Sequence, residues 1–430
     1  MYWIATAVTY VVFLLALPVL LLHPKLRQGT AARLGFLGRN WSKTIGDGPR
    51  FWLHGASAGD VLALMPLVRE LKIIRPDAQI ILSTITNSGR AIAERERQAF
   101  AAITFLPFDL PGAVRRTVNH IRPDVLVLEY TELWPQLIRA AHNRNIPIVL
   151  QNGRISDANL RAYRRLFFFV GNLLTMLTLL LMRDEHEAER ARKLGAKEAQ
   201  IRITGNTKFD NLTATPLPAK VEELRHATAL TEKDIVWAAG STHDGEEEIL
   251  LDAYCELRKA HPTLRMVIAP RYVERAEKVG HLASRRGLVV RFRSHSDTAA
   301  NPKARADVLI LDTIGELAAC YQLASVVFVG GSFVARGGQN ILEPAACGKP
   351  VLFGPYMQNF ADSVQVLLGR GGIQVANPTQ LKKVIADLLA RPERLEELGN
   401  LAAAQVLRVR GAAARNAQLI AALPQRQPTK

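Results

Sequence analysis

Short apolar runs alternate with amphipathic stretches along most of this chain, and this alternation constrains the fold more than any other sequence feature. An apolar run followed by apolar residues at helical spacing is typical of a β-α-β unit. Such units build parallel sheets that are covered by helices. The first array predicts strands at 51–56, 80–84, 102–106, 125–129 and 147–151, with helices at 61–71 and 90–100.

A second array of the same kind follows a break in the pattern. Residues 211–223 contain two prolines and small polar residues, which predicts an interdomain linker. The second array predicts strands at 235–239, 265–269, 308–311, 326–329 and 350–353. We therefore predict two doubly wound, Rossmann-like α/β domains, at 24–210 and 224–430. Two such domains in series, with ligands bound in the cleft at the carboxyl ends of both sheets, are typical of the GT-B glycosyltransferase fold.

The first 22 residues carry no charged side chain. As a helix they would span about 33 Å, which is enough to cross a bilayer. They have neither a basic segment before them nor a small-residue cleavage site after them, so a retained anchor at 1–23 is favoured over a cleaved signal peptide. Basic residues follow at 25, 27, 33, 39 and 43. The positive-inside tendency then places the body of the protein in the cytoplasm.

The net charge restricts the classes of partner. The chain has 55 Lys and Arg against 39 Asp and Glu, a formal charge of +16, which indicates an anionic partner. Nucleic acid, an anionic membrane surface and a phosphorylated substrate all qualify, but no recognised nucleic-acid-binding motif is present. The three cysteines are far apart and show no C-x-x-C pairing, so neither a disulfide framework nor a zinc site is predicted.

The run 166–182 is also uncharged. It is short for a membrane span and is followed directly by a charged helix, so we interpret it as a buried helix and strand.

Three segments of the first array carry candidate site residues. Asp60 follows a turn of small residues and lies in the first turn of a helix, where it either faces an acceptor hydroxyl or only caps the helix. Glu132 and Trp134 follow the fourth strand, where they either contact a sugar or pack on the domain edge. Lys208 precedes the linker, where it either stabilises a departing phosphate or is a solvated lysine.

The second array carries its densest motif at the glycine-rich segment 330–338, which leads into Asn340, Ile341, Leu342 and Glu343. Helix N-termini bind phosphate through free amide groups, and Glu343 is suited to ribose hydroxyls.

Two more strand ends of the second array carry candidate ligand-binding residues. Pro270 and Arg271 end one strand, and Arg271 is suited to a phosphate or sugar carboxylate, or to a surface salt bridge. Another strand is followed by Ile314, Gly315 and Glu316. The sequence contains no D-x-D dyad and no cluster with metal-ligand spacing. We therefore expect metal-independent transfer without a cofactor, in which Lys208, Arg271, Arg336 and a helix dipole stabilise the leaving group.

Together these motifs resemble the 3-deoxy-D-manno-octulosonic acid (Kdo) transferases of lipid A and lipopolysaccharide biosynthesis, in order and over nearly the whole chain. The matching segments are the anchor, 54–60, 131–135, 152–156, 205–210, 241–247, 270–271, 314–316 and 337–343.

The resemblance implies a GT-B enzyme that transfers Kdo from CMP-Kdo to lipid IVA at the cytoplasmic face of the inner membrane, with inversion and without a metal. It implies that the first domain binds the acceptor and the second binds CMP-Kdo. It assigns Asp60 as the general base and Lys208 as a transition-state stabiliser. It assigns CMP binding to Pro270, Arg271, Ile314, Gly315, Glu316, Asn340, Ile341, Leu342 and Glu343.

Two positions depart from the family pattern. Asp60 stands where the family usually has glutamate, so the carboxylate retreats by about one methylene, and a misplacement of about 1 Å can lower the rate on the order of a hundredfold. Tyr130 also replaces a usual glutamate, which leaves Glu129 or Glu132 as the candidate for a second assisting carboxylate. These departures keep two alternatives open, a related GT-B transferase with another donor or acceptor and a catalytically silent membrane-bound homologue.

Overall fold

The computed structural model describes residues 28–38, 41, 45–155, 157–211, 218–295 and 305–423, together with residues 10, 11, 13, 15 and 18. The chain divides into two compact units, Met1–Asn211 with Arg410–Lys430, and Leu212–Val409. The predicted anchor at 1–23 lies almost entirely outside the described residues. In the part of the chain that is described, no helix is both long enough and apolar enough to cross a bilayer.

In the described ranges of the first unit, seven parallel strands form one sheet. The strands are β1 Arg50–His54, β2 Gln79–Thr84, β3 Ala102–Phe105, β4 Val125–Glu129, β5 Ile148–Gly153, β6 Leu179–Met182 and β7 Ile201–Ile203. The helices before the second unit are α1 Thr30–Arg33, α2 Ala58–Ile74, α3 Asn87–Arg95, α4 Pro111–Ile121, α5 Pro135–His142, α6 Asp157–Val170 and α7 Glu185–Lys193. The aliphatic runs of the central strands are buried, as expected for a sheet covered on both faces.

The strand order is β3-β2-β1-β4-β5-β6-β7. Strands are added on one side of β1 up to β3 and on its other side from β4 onwards, so the order of addition reverses between β1 and β4. In such sheets ligands bind outside the carboxyl ends of the strands at the point of reversal. The residues that follow β1 and β4 are therefore at the expected position for a ligand site.

The second unit repeats this plan with seven parallel strands over its described residues. They are β8 Ile235–Thr242, β9 Leu264–Pro270, β10 Val290–Phe292, β11 Val308–Ile310, β12 Val326–Val329, β13 Val351–Phe353 and β14 Gly372–Gln374. The helices are α8 Pro218–Thr228, α9 Glu246–Ala260, α10 Ala276–Ser284, α11 Leu317–Leu323, α12 Leu342–Ala346, α13 Ala361–Leu367, α14 Pro378–Leu389 and α15 Pro392–Val409. The order β10-β11-β9-β8-β12-β13-β14 reverses between β8 and β12.

The last helix, α16 Ala412–Ala421, belongs to the first unit, although the sequence-based boundaries assign residues 224–430 to the second domain. Its buried side chains include Ala413, Ala417 and Ile420, which lie on one helical face, and the last two join the core that contains the apolar side chains of α2. Asp210 accepts hydrogen bonds from the backbone N–H groups of Gly411 at 2.5 Å and Ala413 at 2.6 Å.

Residues 218–223, predicted as linker, form the start of α8 instead. Pro218 is tolerated there because a helix leaves its first N–H groups unpaired.

All ten predicted strands are present. The run 166–182 contains the end of α6 and strand β6, as predicted, but the expectation that this helix is buried is wrong on one face. Phe168 is 70% exposed and Phe169 is 54% exposed.

Candidate functional site

The turn after β1 places Asp60 at the start of α2. Ser57 caps this helix, and the two residues form a reciprocal pair: the N–H of Ser57 donates to Oδ2 of Asp60 at 2.8 Å, and Oγ of Ser57 accepts from the N–H of Asp60 at 3.4 Å. The capping role that the sequence allows is therefore present. The second carboxylate oxygen, Oδ1, has no hydrogen-bond partner within the described ranges, and it remains available to a further group.

Glu129 ends β4 and is fully buried. Its two oxygens accept hydrogen bonds from Asn152 Nδ2 at 2.6 Å and from Gln151 Nε2 at 3.1 Å. Burial raises the pKa of Glu129 to about 8, and the negative charge of Asp60 acts in the same direction, against the two hydrogen bonds. The charge of Asp60, which follows β1, therefore acts on the carboxylate that ends the neighbouring strand β4.

Asn152 connects these strand ends to the segment that carries Lys208. Its side chain donates to Thr207 Oγ1 at 2.6 Å and accepts from the N–H of Thr207 at 2.9 Å. The Thr207 hydroxyl in turn donates to the carbonyl of Ala63, one turn after Asp60. Lys208 is exposed in the short 3-10 helix Thr207–Asn211. These bonds therefore join the first turns of α2, which carry Asp60, to the short helix that carries Lys208.

Strained backbone accompanies this framework. Tyr130 and Asn152 adopt left-handed conformations, with φ of 54° and 51°, directly at the ends of β4 and β5. Left-handed residues other than glycine cost on the order of 1–3 kcal/mol each and concentrate at functional sites. Burial also raises the pKa of the Tyr130 hydroxyl, with the charges of Glu129 and Asp60 adding to the rise.

Glu132 lies apart from the Asn152 framework. Its Oε2 accepts the indole N–H of Trp134 at 2.9 Å and lies 3.7 Å from Nε2 of the buried His54. Trp134 is half-buried and packs against the core of the unit, which agrees with the domain-edge interpretation. The Glu132 carboxylate is thus held by an indole beside an imidazole.

Glu246 organises the strand ends of the second unit. This fully buried carboxylate, in the first turn of α9, accepts four backbone N–H groups, from His243, Gly331, Ser332 and Phe333, at 2.7–3.0 Å. The bonds join the end of β8 to the loop after β12. Gly330 is needed between them, because a Cβ at this position would lie 2.5 Å from the carbonyl oxygen of Ser241.

Positive charge converges at the same strand ends. Burial lowers the pKa of His243, and the charges of Arg336 and Arg271 act in the same direction. Arg271 is exposed, its guanidinium carbon lies 5.6 Å from the ring centroid of Tyr272, and it makes no ion pair with any described residue. Its backbone N–H donates to the carbonyl of Thr242 at 2.9 Å, which fixes the Pro270–Arg271 turn to the end of β8. An exposed guanidinium without a described carboxylate partner is suited to an anionic ligand.

Two glycines in the loop before α12 allow close packing against the segment 357–359. Gly337 and Gly338 have φ of 83° and 80°, and a Cβ on either would lie within 2.4 Å of the side chain of Asn359 or Met357. Asn340 Oδ1 accepts the N–H of Leu342 at 3.1 Å. Glu343 follows in the first turn of α12 and is half-buried, whereas Ile341 and Leu342 are buried in the core.

The segment after β11 presents backbone rather than a carboxylate. Ile314 is 90% exposed, and Gly315 has φ of 87°. The carboxylate of Glu316 is occupied by Arg293 at 3.1 Å and by the hydroxyl of Thr313. The carboxylate of Glu316 thus fixes its own loop, and the carbonyl of Gly315 accepts a hydrogen bond from Nζ of Lys220 at 3.0 Å.

Sequence reasoning gives no individual role to Asn152 or Glu246, which hold the two sets of strand ends together. A usable signal exists for Asn152, because two polar residues, Gln151 and Asn152, end an otherwise apolar strand. Glu246 lies in a run of three glutamates, and nothing in the run distinguishes it from Glu248, which is half-buried.

Sequence comparison with known proteins supports the family that the motifs indicate. A family model described as 3-Deoxy-D-manno-octulosonic-acid transferase (kdotransferase) matches residues 28–211. The chain is 34% identical over 402 residues to a 3-deoxy-D-manno-octulosonic acid transferase of Haemophilus influenzae, covering 92% of each chain. It is 31% identical over 387 residues to the same-named enzyme of Chlamydophila psittaci, covering 89% of this chain and 87% of that one.

A likeness of fold alone extends to MurG of Acinetobacter baumannii, with a TM-score of 0.54 at 12% identity over 87% of this chain and all of the other. The two parallel-sheet α/β units therefore have a GT-B-like fold, as predicted. The chain belongs to the 3-deoxy-D-manno-octulosonic acid (Kdo) transferase family of glycosyltransferases.

Proposed function

We propose that this enzyme transfers Kdo from CMP-Kdo to lipid IVA at the cytoplasmic face of the inner membrane, with inversion and without a metal ion. The observation that carries the reaction is the carboxylate of Asp60, which is fixed by Ser57 at the carboxyl end of β1 and keeps one oxygen without a described partner. In a single displacement, an acceptor hydroxyl attacks the anomeric carbon of Kdo as the bond to the CMP phosphate breaks. Asp60 accepts the hydroxyl proton as the new bond forms.

The donor belongs to the second unit in this proposal. The exposed guanidinium of Arg271 and the nearby Arg336 supply positive charge for the phosphate, and Glu246 fixes the loop that leads to Arg336. Glu343 and the backbone of 314–315 complete the CMP site.

Cations of the protein stabilise the charge on the departing phosphate in this proposal. Lys208 of the first unit shares this role with the two arginines of the donor site. Within the described ranges, no cluster of three or more His, Cys, Asp or Glu side chains is arranged to hold a metal ion.

The membrane location rests on the N-terminal segment. The Gly112 N–H donates to Oη of Tyr10 at 3.2 Å, and the ring centroid of Phe13 lies 5.1 Å from that of Phe108. Phe108 and Gly112 follow β3, whose carboxyl end lies on the same sheet edge as those of β1 and β4. An anchor that contains Tyr10 and Phe13 would bring the acceptor-binding edge close to lipids of the inner leaflet.

Mass spectrometry of lipid IVA after incubation with the purified enzyme and a CMP-Kdo generating system tests the proposal. A mass increase of one or more Kdo units is expected. Transfer only from another nucleotide sugar or to another lipid would favour the altered transferase suggested by Asp60 and Tyr130. Binding of CMP without any transfer would favour a silent homologue.

A further inference from the structure

Helix α6 exposes one continuous face of basic and aromatic side chains. Arg161, Arg164, Arg165, Phe168 and Phe169 are all exposed and are spaced so that they lie on the same side of the helix. The opposite side packs against the core of the first unit through Leu160, Tyr163, Leu166, Phe167 and Val170. We call the five exposed residues the α6 face.

The aromatic end of the α6 face leaves a large apolar area in water. Phe168 and Phe169 are 70% and 54% exposed, and their ring centroids lie 5.4 Å apart at an interplanar angle of 85°. Covering such side chains is favourable by the hydrophobic effect. Contiguous exposed apolar groups on a folded protein mark interaction surfaces.

The basic end of the α6 face indicates the charge of the partner. Arg161, Arg164 and Arg165 make no ion pair with any residue that the structure describes. The acidic residue of this helix, Asp157, is held by Arg190 through bonds of 2.9 and 2.6 Å. A helix that combines arginines with exposed phenylalanines has the composition of helices that lie in the interface of anionic membranes.

The position of α6 agrees with a membrane partner. Residues of α4, α5 and α6 share one hydrophobic core, so the three helices cover the same face of the first sheet. The N-terminal segment contacts this layer at Gly112, in the first turn of α4. Tyr10 of the segment proposed as anchor therefore contacts the same helical layer that carries the α6 face.

We propose that the α6 face docks on the surface of an anionic phospholipid bilayer, with Phe168 and Phe169 entering the acyl boundary and the three arginines binding lipid phosphates. The proposal deepens the membrane location proposed above and does not depend on the reaction. Docking at a second site, besides the anchor, fixes the rotation of the first unit about the anchor.

The test uses the full chain reconstituted into vesicles, with Phe168→Trp as a reporter and lipids with brominated acyl chains as the quencher. The chain has 5 native Trp residues, so Phe168→Leu supplies the background to subtract. Ile73→Trp is the matched control, because Ile73 is 72% exposed on α2 of the same unit but has no role in the proposal. Vesicles of phosphatidylcholine are compared with vesicles that also contain phosphatidylglycerol.

We expect strong quenching of the reporter indole in the Phe168→Trp variant with phosphatidylglycerol vesicles, weaker quenching with phosphatidylcholine alone, and little quenching of the control indole in the Ile73→Trp variant. Replacing the three arginines with glutamine should weaken docking roughly fivefold per arginine, or on the order of a hundredfold together.

Equal quenching of the reporter and control indoles would overturn the proposal. Quenching that changes neither with the lipid charge nor with replacement of the three arginines would also overturn it. Protection of the reporter indole that grows with the ratio of protein to lipid, without bromolipid quenching, would overturn it in favour of contact with a second copy.

Flotation of the same vesicles separates this proposal from the anchor. If the protein floats with the vesicles but the reporter indole is not quenched, docking of the α6 face is refuted and the anchor is not. Release of the wild-type protein refutes the anchor, and quenching of the reporter by vesicles added afterwards would still support docking.

Discussion

Asp60 both caps helix α2 and presents a carboxylate, and two substitutions separate these roles. Asp60→Asn keeps the size and the capping ability but removes the basicity, so we expect loss of Kdo transfer with folding and CMP binding preserved. Ser57→Ala removes one reciprocal hydrogen bond but keeps the carboxylate, so it should lower stability by about 1 kcal/mol with a much smaller effect on transfer. Initial rates and calorimetric CMP titrations of both variants are the measurements. A near wild-type rate of transfer by the Asp60→Asn variant would show that Asp60 only caps the helix.

Glu129 should make the stability of the protein pH-dependent in a specific window. Its pKa is raised from 4.5 to about 8, so the folded protein keeps a proton that the unfolded chain loses. The stabilising effect is complete below pH 4.5 and declines as the pH rises towards 8, by at most about 1.4 kcal/mol per pH unit. Glu129→Gln cannot titrate, so we expect its stability relative to the wild type to increase over this window. Unfolding curves of both proteins at several pH values test this, and a constant difference would contradict the raised pKa.

Glu246 should be required for the shape of the loop after β12. Glu246→Gln places an amide donor against backbone donors, and leaving such groups unpaired in a buried site costs about 2–4 kcal/mol. We expect that loss in the free energy of unfolding and at least a tenfold weaker CMP affinity. Glu248→Gln is the matched control, since it removes the same charge from the same helical turn without a bond to the loop. Equal effects of the two substitutions would exclude the loop as the cause.

Whether the position of a residue can be predicted depends on whether its contacts are local in the sequence. A strand end, a small-residue turn and a capping pair are local patterns, so the position of Asp60 is predictable. The bonds from Asn152 to Glu129 and Thr207, and from Glu246 to residues 331–333, join segments 23–87 positions apart. Only the folded chain brings such groups together.

At the scale of elements, apolar runs predict ten strands of the two arrays and the strand β6 within the run 166–182, whereas β7, β10 and β14 are missed. Each of these has three residues, and several of their side chains are partly exposed, so they show neither a clear run nor a clear alternation. The sequence assigns helix α16 to the second domain, because its periodic pattern does not reveal which sheet it covers.

Helix α16 should be a stabilising part of the first unit. Ile420→Ala removes a fully buried side chain from the core and is expected to lower the free energy of unfolding by about 2–4 kcal/mol. Asp210→Ala removes the acceptor of two backbone N–H groups and should cost about 1–2 kcal/mol. Gln418→Ala, at an exposed position of the same helix, should change it by less than about 0.5 kcal/mol. Denaturant unfolding compares the three variants, and an Ile420→Ala effect as small as that of the control would show that α16 is not needed.

The whole molecule has a net charge of +16 and a first segment of 22 uncharged residues, and both features favour the proposed membrane location. Removing residues 1–22 should release much of the protein from membranes while activity on detergent-dispersed acceptor is retained, because the residues of the two candidate sites remain. Fractionation of cells that express each form measures the release. Residual, salt-sensitive binding is expected from the basic surface. An unchanged membrane fraction that resists salt would contradict the anchor.

The return of α16 to the first unit also sets the order in which the protein is completed during synthesis. The whole second unit, 212–409, is made after the sheet of the first unit but before Ile420 can reach its place beside α2. At about 5–20 residues per second, the ribosome takes roughly 10–40 s to cover that distance. The second unit is continuous in sequence and can form within this interval. The first unit therefore begins first and finishes last, and for that time the apolar groups of α2 that α16 will cover remain open to chaperones.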